Sequence, residues 1–148
     1  MRVSFQPRVT VATIVEREGR FLFVEERING RLVLNQPAGH LDANESLIDA
    51  AVRETLEETG WHVSVTELLG VYQYDAQDRH FVRFNFVATA LRHEPDRRLD
   101  DGIVQALWLT PEELLSYQSP VRSPMVKRCL DDYRAGVRHP LQALSVIR

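Results

Sequence analysis

Residues 39–61 restrict the possible folds of this chain most strongly, because they pair a strongly acidic helical pattern with sharp stops at both ends. Residues 35–39 contain proline and glycine and predict a loop. Asn44 offers a side-chain oxygen for a helix N-terminus, and Gly60 stands where a helix would stop. We therefore predict a helix over residues 45–59. Its apolar arc is predicted to face a core and consists of Ile48, Ala51, Val52, Thr55 and Leu56.

Charge is distributed unevenly along the chain. Residues 39–61 carry six acidic side chains and one arginine, a net charge of −5, whereas the whole chain carries −3. The remainder is slightly basic, with 17 basic and 15 acidic residues. This balance argues against a protein that coats nucleic acid, because such binding needs a basic surface. We expect no stable nucleic-acid binding.

The predicted helix places three carboxylates on one face. Glu54, Glu57 and Glu58 are spaced i, i+3 and i+4, and like charges at this spacing destabilise a bare helix. Clustered carboxylate oxygens suit Mg²⁺ or Mn²⁺. A solvated acidic face would produce the same spacing. The spacing alone leaves both interpretations open.

The rest of the chain alternates strand and helix patterns. Strands are predicted over residues 9–15, 21–24, 32–34, 63–74, 81–91 and 103–109, with a turn at 75–79. A short helix is predicted after Thr110, and a last helix from Ser123 to about Arg134. The 148 residues match one domain, so we expect a single mixed α/β domain over residues 1–148.

Cysteine usage and hydropathy indicate the compartment. Cys129 is the single cysteine, so no intrachain disulfide is possible, and a reduced cytoplasmic setting is expected. The first fifteen residues lack the pattern of a signal peptide, and no run of about 18 apolar residues occurs. We expect no membrane association.

The acidic segment carries a specific motif. The Nudix box, G-x5-E-x7-R-E-U-x-E-E-x-G-U with U bulky and apolar, is matched at all seven fixed positions, by Gly39, Glu45, Arg53, Glu54, Glu57, Glu58 and Gly60. Thr55 and Trp61 depart from it at variable positions. The chain thus resembles the Nudix hydrolase superfamily. Four segments outside the box resemble its phosphatase NudJ branch, at residues 35–40, 108–114, 122–124 and 138–141.

The resemblance implies a fold and an activity. The fold would be an α/β/α sandwich around a mixed β-sheet. The activity would be divalent-metal-dependent hydrolysis of nucleoside di- and triphosphates and related small diphosphates, thiamine-type pyrophosphates included, by attack of water on phosphorus. The cofactor would be Mg²⁺, with Mn²⁺ as an alternative. A monomer and a homodimer are both compatible with the sequence.

The resemblance also implies residue roles in catalysis and metal binding. Glu57 and Glu58 match the metal-binding glutamates of the family. Glu54 matches a glutamate assigned as a metal ligand or as the base that activates water. The carbonyl of Ala38 would be a further ligand. Arg53 belongs to the same catalytic motif.

Other residues would support this centre. Arg53 and Glu45 match a pair that braces the loop and the helix, and Gly39 and Gly60 fill the fixed glycine positions. Many family members add a carboxylate from a later loop. Asp100 or Asp101 is placed to supply it, although a solvated loop would explain both equally well.

Five side chains are predicted to contact the substrate, namely Arg27, Arg83, Arg122, Tyr74 and His40. Arg83 is the best of the arginines, because it lies on the polar face of a predicted strand and matches an arginine of the NudJ branch. Tyr72 and Phe81 are alternative stacking residues. Core packing explains each of these aromatics as well, and His40 would also fit a role in capping the loop.

Two other functions remain open. A Nudix-fold sensor would bind a nucleotide without cutting it, although a pure binder has no need of three uncompensated carboxylates. An isomerase acting on a diphosphate would need an additional nucleophile. Cys129 would be the candidate, but we expect it to be packed in the last helix.

Overall fold

The computed structural model describes residues 4–148 and contains seven strands, three α-helices and a short 3-10 helix. The strands are β1 (Arg8–Arg17), β2 (Arg20–Ile28), β3 (Arg31–Asn35), β4 (Ala38–His40), β5 (Trp61–Ala76), β6 (Arg79–His93) and β7 (Ile103–Leu109). The helices are α1 (Leu47–Thr59), α2 (Pro111–Ser116), α3 (Pro124–Arg134) and the 3-10 turn Leu141–Ala143. The order of the other six strands and of the three α-helices matches the prediction, whereas β4 lies where a loop was predicted over residues 35–39 and the 3-10 turn was not predicted.

The seven strands form one mixed sheet in two parts that share β1. In the first part β1 pairs in parallel with β6, while β4 and β5 join antiparallel at the two edges. In the second part β2 pairs antiparallel with β1, β3 and β7. Because β4 is the edge strand beside β1, the loop before the acidic helix becomes part of the sheet.

Helices cover both faces of the sheet. Val11 and Phe86 pack with Ala51 of α1 in one core cluster. Ile14 and Leu69 pack in a second cluster with α3, which contributes Val126, Cys129 and Leu130. Residues separated by an odd number of positions on a strand point to opposite faces. The two clusters therefore lie on opposite sides of the sheet, which confirms the α/β/α sandwich.

The start of α1 differs from the prediction. The cap is Ser46, whose hydroxyl accepts a hydrogen bond from the Asp49 amide, and the helix begins at Leu47. Asn44 instead adopts a positive φ of 65° in the preceding loop, a conformation that asparagine tolerates better than most residues. The predicted cap at Asn44 is wrong because a second capping residue lies two positions later.

The buried face of α1 is rotated from the predicted arc. Ala50, Ala51, Thr55, Glu58 and Thr59 are buried, whereas Ile48, Val52 and Leu56 are only half-buried. The Thr55 hydroxyl donates to the carbonyl oxygen of Ala51 at 2.8 Å and lies 2.9 Å from the Thr13 hydroxyl. This rotation buries Glu58, one of the three glutamates on the acidic face.

The later helices start as predicted. Thr110 and Glu113 form a capping box at α2, and Ser123 caps α3 ahead of Pro124. Cys129 is fully buried in α3, and burial raises the pKa of its thiol to about 11. The packing expected for this cysteine is confirmed.

Two expectations concern the chain as a whole. No helix within residues 4–148 is long and apolar enough to cross a membrane. The single domain expected over residues 1–148 stays a prediction, and residues 1–3 lie outside the described part.

Candidate active site

A close approach between β4 and α1 builds the centre of the site. A Cβ atom placed on Gly39 would lie 2.0 Å from the carboxyl carbon of Glu54, so a larger residue there would displace the Glu54 carboxylate. Gly60 ends α1 with a positive φ of 76°, and a Cβ there would meet the Glu94 carbonyl oxygen at 2.9 Å. Steric contacts therefore explain why both fixed positions of the motif carry glycine.

Arg53 connects the helix with the loop in front of it. Its Nη2 and Nε atoms donate to the two carboxylate oxygens of Glu45 at 2.7 and 3.0 Å, a bidentate pair. Nη2 also donates to the carbonyl oxygen of His40 at 3.1 Å. The hydrogen bonds from Arg53 lower the pKa of Glu45, and Glu45 in turn raises that of Arg53. The pair holds β4 against α1.

Three carboxylates from two elements converge beside this brace. Oxygen atoms of Glu54, Glu58 and Asp100 all lie within 4.8 Å of one another. Asp100 comes from the loop after β6. Its backbone amide donates a hydrogen bond to the carbonyl oxygen of Glu57 at 3.0 Å, and this bond attaches the loop to α1. Asp101 is 98% exposed and pairs with Arg98 instead. Of the two loop aspartates, the structure brings only Asp100 to the cluster.

Burial and mutual repulsion make the ionised form of two carboxylates in the cluster, Glu54 and Glu58, unfavourable. Burial raises the pKa of Glu58 to about 8, and the neighbouring charges of Glu54 and Asp100 add to the effect. The amide of Ala38 donates to Glu58 at 2.9 Å and opposes the shift. Burial also raises the pKa of Glu54, against the opposing hydrogen bond from Arg53.

Glu57 occupies a different position from the other two glutamates. It accepts a hydrogen bond from Arg53 Nη1 at 3.2 Å and is not part of the three-residue cluster. Its predicted role as a metal ligand stays a prediction.

The donor set fits a divalent cation. Three carboxylates within 4.8 Å of one another offer the hard oxygen ligands that Mg²⁺ and Mn²⁺ prefer. A bound cation would also offset the burial and the mutual repulsion that raise the pKa of Glu58. The residues present can therefore hold such an ion.

A cavity of about 500 Å³ opens next to the cluster. β4 forms part of its wall through Ala38, Gly39 and His40, so the cavity and the carboxylates meet at this strand. Four of the five predicted substrate contacts line it, namely His40, Tyr74, Arg83 and Arg122. Arg27 is exposed on β2 and does not line the cavity, so its predicted contact with the substrate gains no support.

The environment of Arg83 differs from the prediction. Arg83 is only 6% exposed, and its neighbour on the same face, Asn85, is fully buried. The alternation along β6 was right, but both faces of this strand are covered, so the polar face does not meet solvent. Burial lowers the pKa of Arg83, and the charge of Arg122 adds to the effect, while Cys129 and the carboxylates of Glu58 and Glu26 oppose it.

The aromatic candidates separate into two groups. Tyr74 and Phe81 line the cavity and stack on each other, with ring centroids 6.4 Å apart. Tyr72 packs against the core on the α3 side, and its hydroxyl donates to Asp132 at 2.8 Å. For Tyr72, the interpretation as a core-packing residue is therefore confirmed.

Sequence reasoning missed several residues of the cavity lining, among them Asn35, Arg79 and Thr10. Asn35 lies in the loop motif before the box, but nothing in the motif indicates where its side chain goes. Arg79 was assigned to a turn that the structure narrows to residues 77–78, and it lines the cavity from the start of β6. Thr10 on β1 carries no signal in the sequence, because only the pairing of β1 with β6 places it opposite Arg83.

Comparisons with known proteins agree with this geometry. A family model described as NUDIX domain matches residues 4–129. Phosphatase NudJ of Escherichia coli K12 is 42% identical over 142 residues, which cover 95% of this chain and 92% of that protein. A NUDIX hydrolase from Nitrosomonas europaea superposes with a TM-score of 0.93 at 41% identity, covering 96% of this chain and 98% of that one. The NUDIX domain of Shewanella oneidensis NrtR, solved with ADP ribose, superposes with a TM-score of 0.73 at 16% identity, covering 90% of each chain, and shows the fold alone.

The chain therefore belongs to the Nudix hydrolases and is an enzyme of that family. Within the family it is a homologue of phosphatase NudJ. The resemblance inferred from the box and its flanking segments is confirmed.

Proposed function

We propose that this protein hydrolyses nucleoside di- and triphosphates and related small diphosphates, thiamine-type pyrophosphates included, with Mg²⁺ or Mn²⁺ as cofactor. The cluster of Glu54, Glu58 and Asp100 beside an arginine-lined cavity is the observation that carries this proposal. It sets a cation-binding centre next to a space for an anionic substrate.

The residues that would hold the cation come from the cluster and from the family pattern. Glu54, Glu58 and Asp100 supply carboxylates, and the motif adds Glu57 and the Ala38 carbonyl. A bound divalent cation would neutralise phosphate charge, orient the anhydride and lower the pKa of the attacking water.

Glu54 is the side chain we assign to proton acceptance. Its side chain is 13% exposed, and burial raises its pKa, which makes it a better base than a free carboxylate. Arg53 Nη1 donates to Glu54 at 2.9 Å and fixes one of its oxygens. The other oxygen is then available to receive the proton of the water that attacks phosphorus.

The setting we propose is a cytoplasmic one. The partner is a small phosphorylated substrate, without stable nucleic-acid or membrane binding. The protein works as a single domain over residues 1–148, as a monomer or a homodimer.

Glutamine variants test the assignment of the metal ligands. Glu57→Gln and Glu58→Gln keep the shape of the side chain but remove its charge, so each should lower Mg²⁺-dependent turnover by at least about 100-fold, the upper end of what outer-shell changes do. Glu112→Gln on the exposed first turn of α2 is the matched control and should leave turnover unchanged. Phosphate and pyrophosphate release from ADP, ATP and thiamine diphosphate is measured. Near-normal turnover in both folded variants contradicts the assignment.

The alternative of a sensor domain makes a different prediction. A binder gives saturable nucleotide affinity and no product, whereas the hydrolase releases product in proportion to bound Mg²⁺. Titration of Mg²⁺ against product release separates the two. The isomerase alternative gains no support, because Cys129 is fully buried in α3 and its replacement by alanine should leave activity standing.

A further inference from the structure

The polar atoms that lack a partner are concentrated in one place. Within residues 4–148, four buried side-chain atoms have no hydrogen-bond partner, and they are Thr10 Oγ1, Asn35 Oδ1, Arg83 Nε and Arg83 Nη1. All three residues line the cavity beside β4. Buried polar groups are normally paired, because leaving one unpaired is unfavourable. Their shared location gives the cavity floor a set of donors and an acceptor that can pair with a polar group entering the cavity.

Arg83 Nε and Nη1 have no hydrogen-bond partner, and the carboxylates of Glu58 and Glu26 act on the guanidinium only through their charge and not through a hydrogen bond to these atoms. The thiol of Cys129 interacts with the guanidinium, but its pKa of about 11 keeps it neutral at physiological pH. Arg122 adds a second positive charge and is itself held by Glu26 at 3.0 Å. A buried guanidinium with two unpaired nitrogens is thus available to an anion from outside.

The orientation of Asn35 depends on its other partner. Its Nδ2 atom donates to Glu26 Oε1 at 3.5 Å, and this long contact favours the orientation in which the amide nitrogen faces the carboxylate. Oδ1 therefore remains an acceptor at the cavity. Together with Arg83 and the Thr10 hydroxyl, the floor offers donors next to an acceptor, which a hydrogenphosphate group satisfies with its own oxygens and its O–H.

The charges lining the cavity are of one sign. Arg79, Arg83 and Arg122 are the charged side chains of the lining, and no carboxylate of residues 4–148 lines it. The carboxylates lie beyond Ala38 and Gly39, on the α1 side. One part of an anionic substrate would meet the cation centre, while another part would enter the arginine side.

We propose that the floor of this cavity is a metal-independent anion subsite in which Arg83 binds a phosphate group that lies outside the carboxylate cluster. This proposal rests on the proposed function for its role in turnover, but the binding itself needs no catalysis. Arg83 is then a determinant of substrate affinity, with Asn35 and Thr10 completing the hydrogen bonds.

Titration of inorganic pyrophosphate into the EDTA-treated full chain tests the subsite by calorimetry. The wild type should bind with a saturable isotherm, and Arg83→Met should weaken the affinity at least 10-fold. Arg31→Met removes the same charge from an exposed position on β3 outside the cavity and should change the affinity less than 2-fold. Equal affinity in wild type and Arg83→Met, or no saturable binding by the wild type at millimolar pyrophosphate, overturns the subsite.

Steady-state kinetics with Mg²⁺ gives an independent readout. Arg83→Met should raise KM at least 10-fold and change kcat less than 3-fold, whereas a fall in kcat at constant KM contradicts a binding role. If the wild type shows no Mg²⁺-dependent turnover on any diphosphate, the proposed function fails, and the pyrophosphate titration still decides the subsite. A thermal midpoint of Arg83→Met at or above that of the wild type shows that the variant is folded.

Discussion

Arg53 is half-buried and Arg83 is buried, and the groups around the two guanidinium groups are opposite in kind. The Arg53 guanidinium contacts the carboxylates of Glu45, Glu54 and Glu57. Arg83 has unpartnered Nε and Nη1 atoms and lies only 6% exposed. Arg53 stabilises the site through its ion pairs. Burying the Arg83 guanidinium without partners is unfavourable for the folded protein, and a bound anion would offset that free energy.

This contrast predicts opposite effects on stability. Arg53→Met should lower the free energy of unfolding by about 1–3 kcal/mol, because it leaves partly buried carboxylates without their partner. Arg83→Met should leave it unchanged or raise it by about 1 kcal/mol, because an unpaired buried charge is removed. Urea denaturation of the metal-free proteins measures both. The reverse order would show that Arg83 is a structural residue.

The sequence predicts local residue roles better than distant ones. The spacing of the box correctly places Glu54 and Glu58 together, because i and i+4 positions share a helix face. The position of Asp100 in the cluster depends on a hydrogen bond between two distant backbone segments. From the sequence, the third carboxylate could only be assigned to one of two aspartates, Asp100 or Asp101. The cap at Asn44 was wrong because Ser46 competes with it on equal chemistry.

Among the secondary-structure elements, β2 holds the segment between α2 and α3 in place through the buried carboxylate of Glu25. Glu25 is 2% exposed and accepts hydrogen bonds from Ser119 at 2.6 Å and from Gln105 at 2.9 Å. These bonds lower the pKa of Glu25 from its usual 4.5. Its ionised form therefore stabilises the fold at neutral pH.

Glu25→Gln should lower the free energy of unfolding by about 1–3 kcal/mol at pH 7. A lowered folded-state pKa means that the stabilisation is present above the unfolded-state pKa and is lost as pH falls through the folded-state pKa. The gap between wild type and variant should narrow below about pH 4.5, the usual value for this carboxyl group. Urea denaturation across pH 3–7 measures the gap, with Glu112→Gln as the surface control. A gap that stays constant with pH contradicts the ionised state of Glu25.

Strands and helix ends follow from the sequence, whereas their pairing does not. Apolar and β-branched runs, with alternation over residues 81–91, identified every long strand. Thr110 and Ser123 correctly marked two helix starts. The parallel pairing of β1 with β6 joins residues more than seventy positions apart. That pairing buries Arg83 and places Thr10 opposite it, so the cavity floor could not be predicted from local pattern.

On the scale of the whole molecule, charge is separated across β4. The −5 of residues 39–61 includes two of the three carboxylates in the cluster, while the cavity on the other side of Ala38 and Gly39 is lined by arginines. A cation on one side and a phosphate on the other would each offset repulsion that the fold imposes.

Mg²⁺ should therefore stabilise the folded protein. At a concentration 100 times the dissociation constant, a cation that binds only the folded state adds roughly 2.7 kcal/mol, which raises Tm by about 5–10 °C for a chain of this length. Glu58→Gln should lose most of this shift. Differential scanning calorimetry at matched ionic strength checks it, and an equal shift with NaCl would assign the effect to screening.

The central claim is that the carboxylate cluster makes this chain a divalent-metal-dependent hydrolase of small diphosphates. The most direct test is a substrate panel assayed with Mg²⁺ and with EDTA, scored separately for phosphate and pyrophosphate release. The panel contains nucleoside di- and triphosphates, thiamine diphosphate, a base-damaged nucleotide and a dinucleoside polyphosphate. We predict Mg²⁺-dependent release from the nucleotides or thiamine diphosphate, abolished by EDTA. Turnover undiminished by EDTA, or no turnover of any nucleotide or thiamine diphosphate, would contradict the claim.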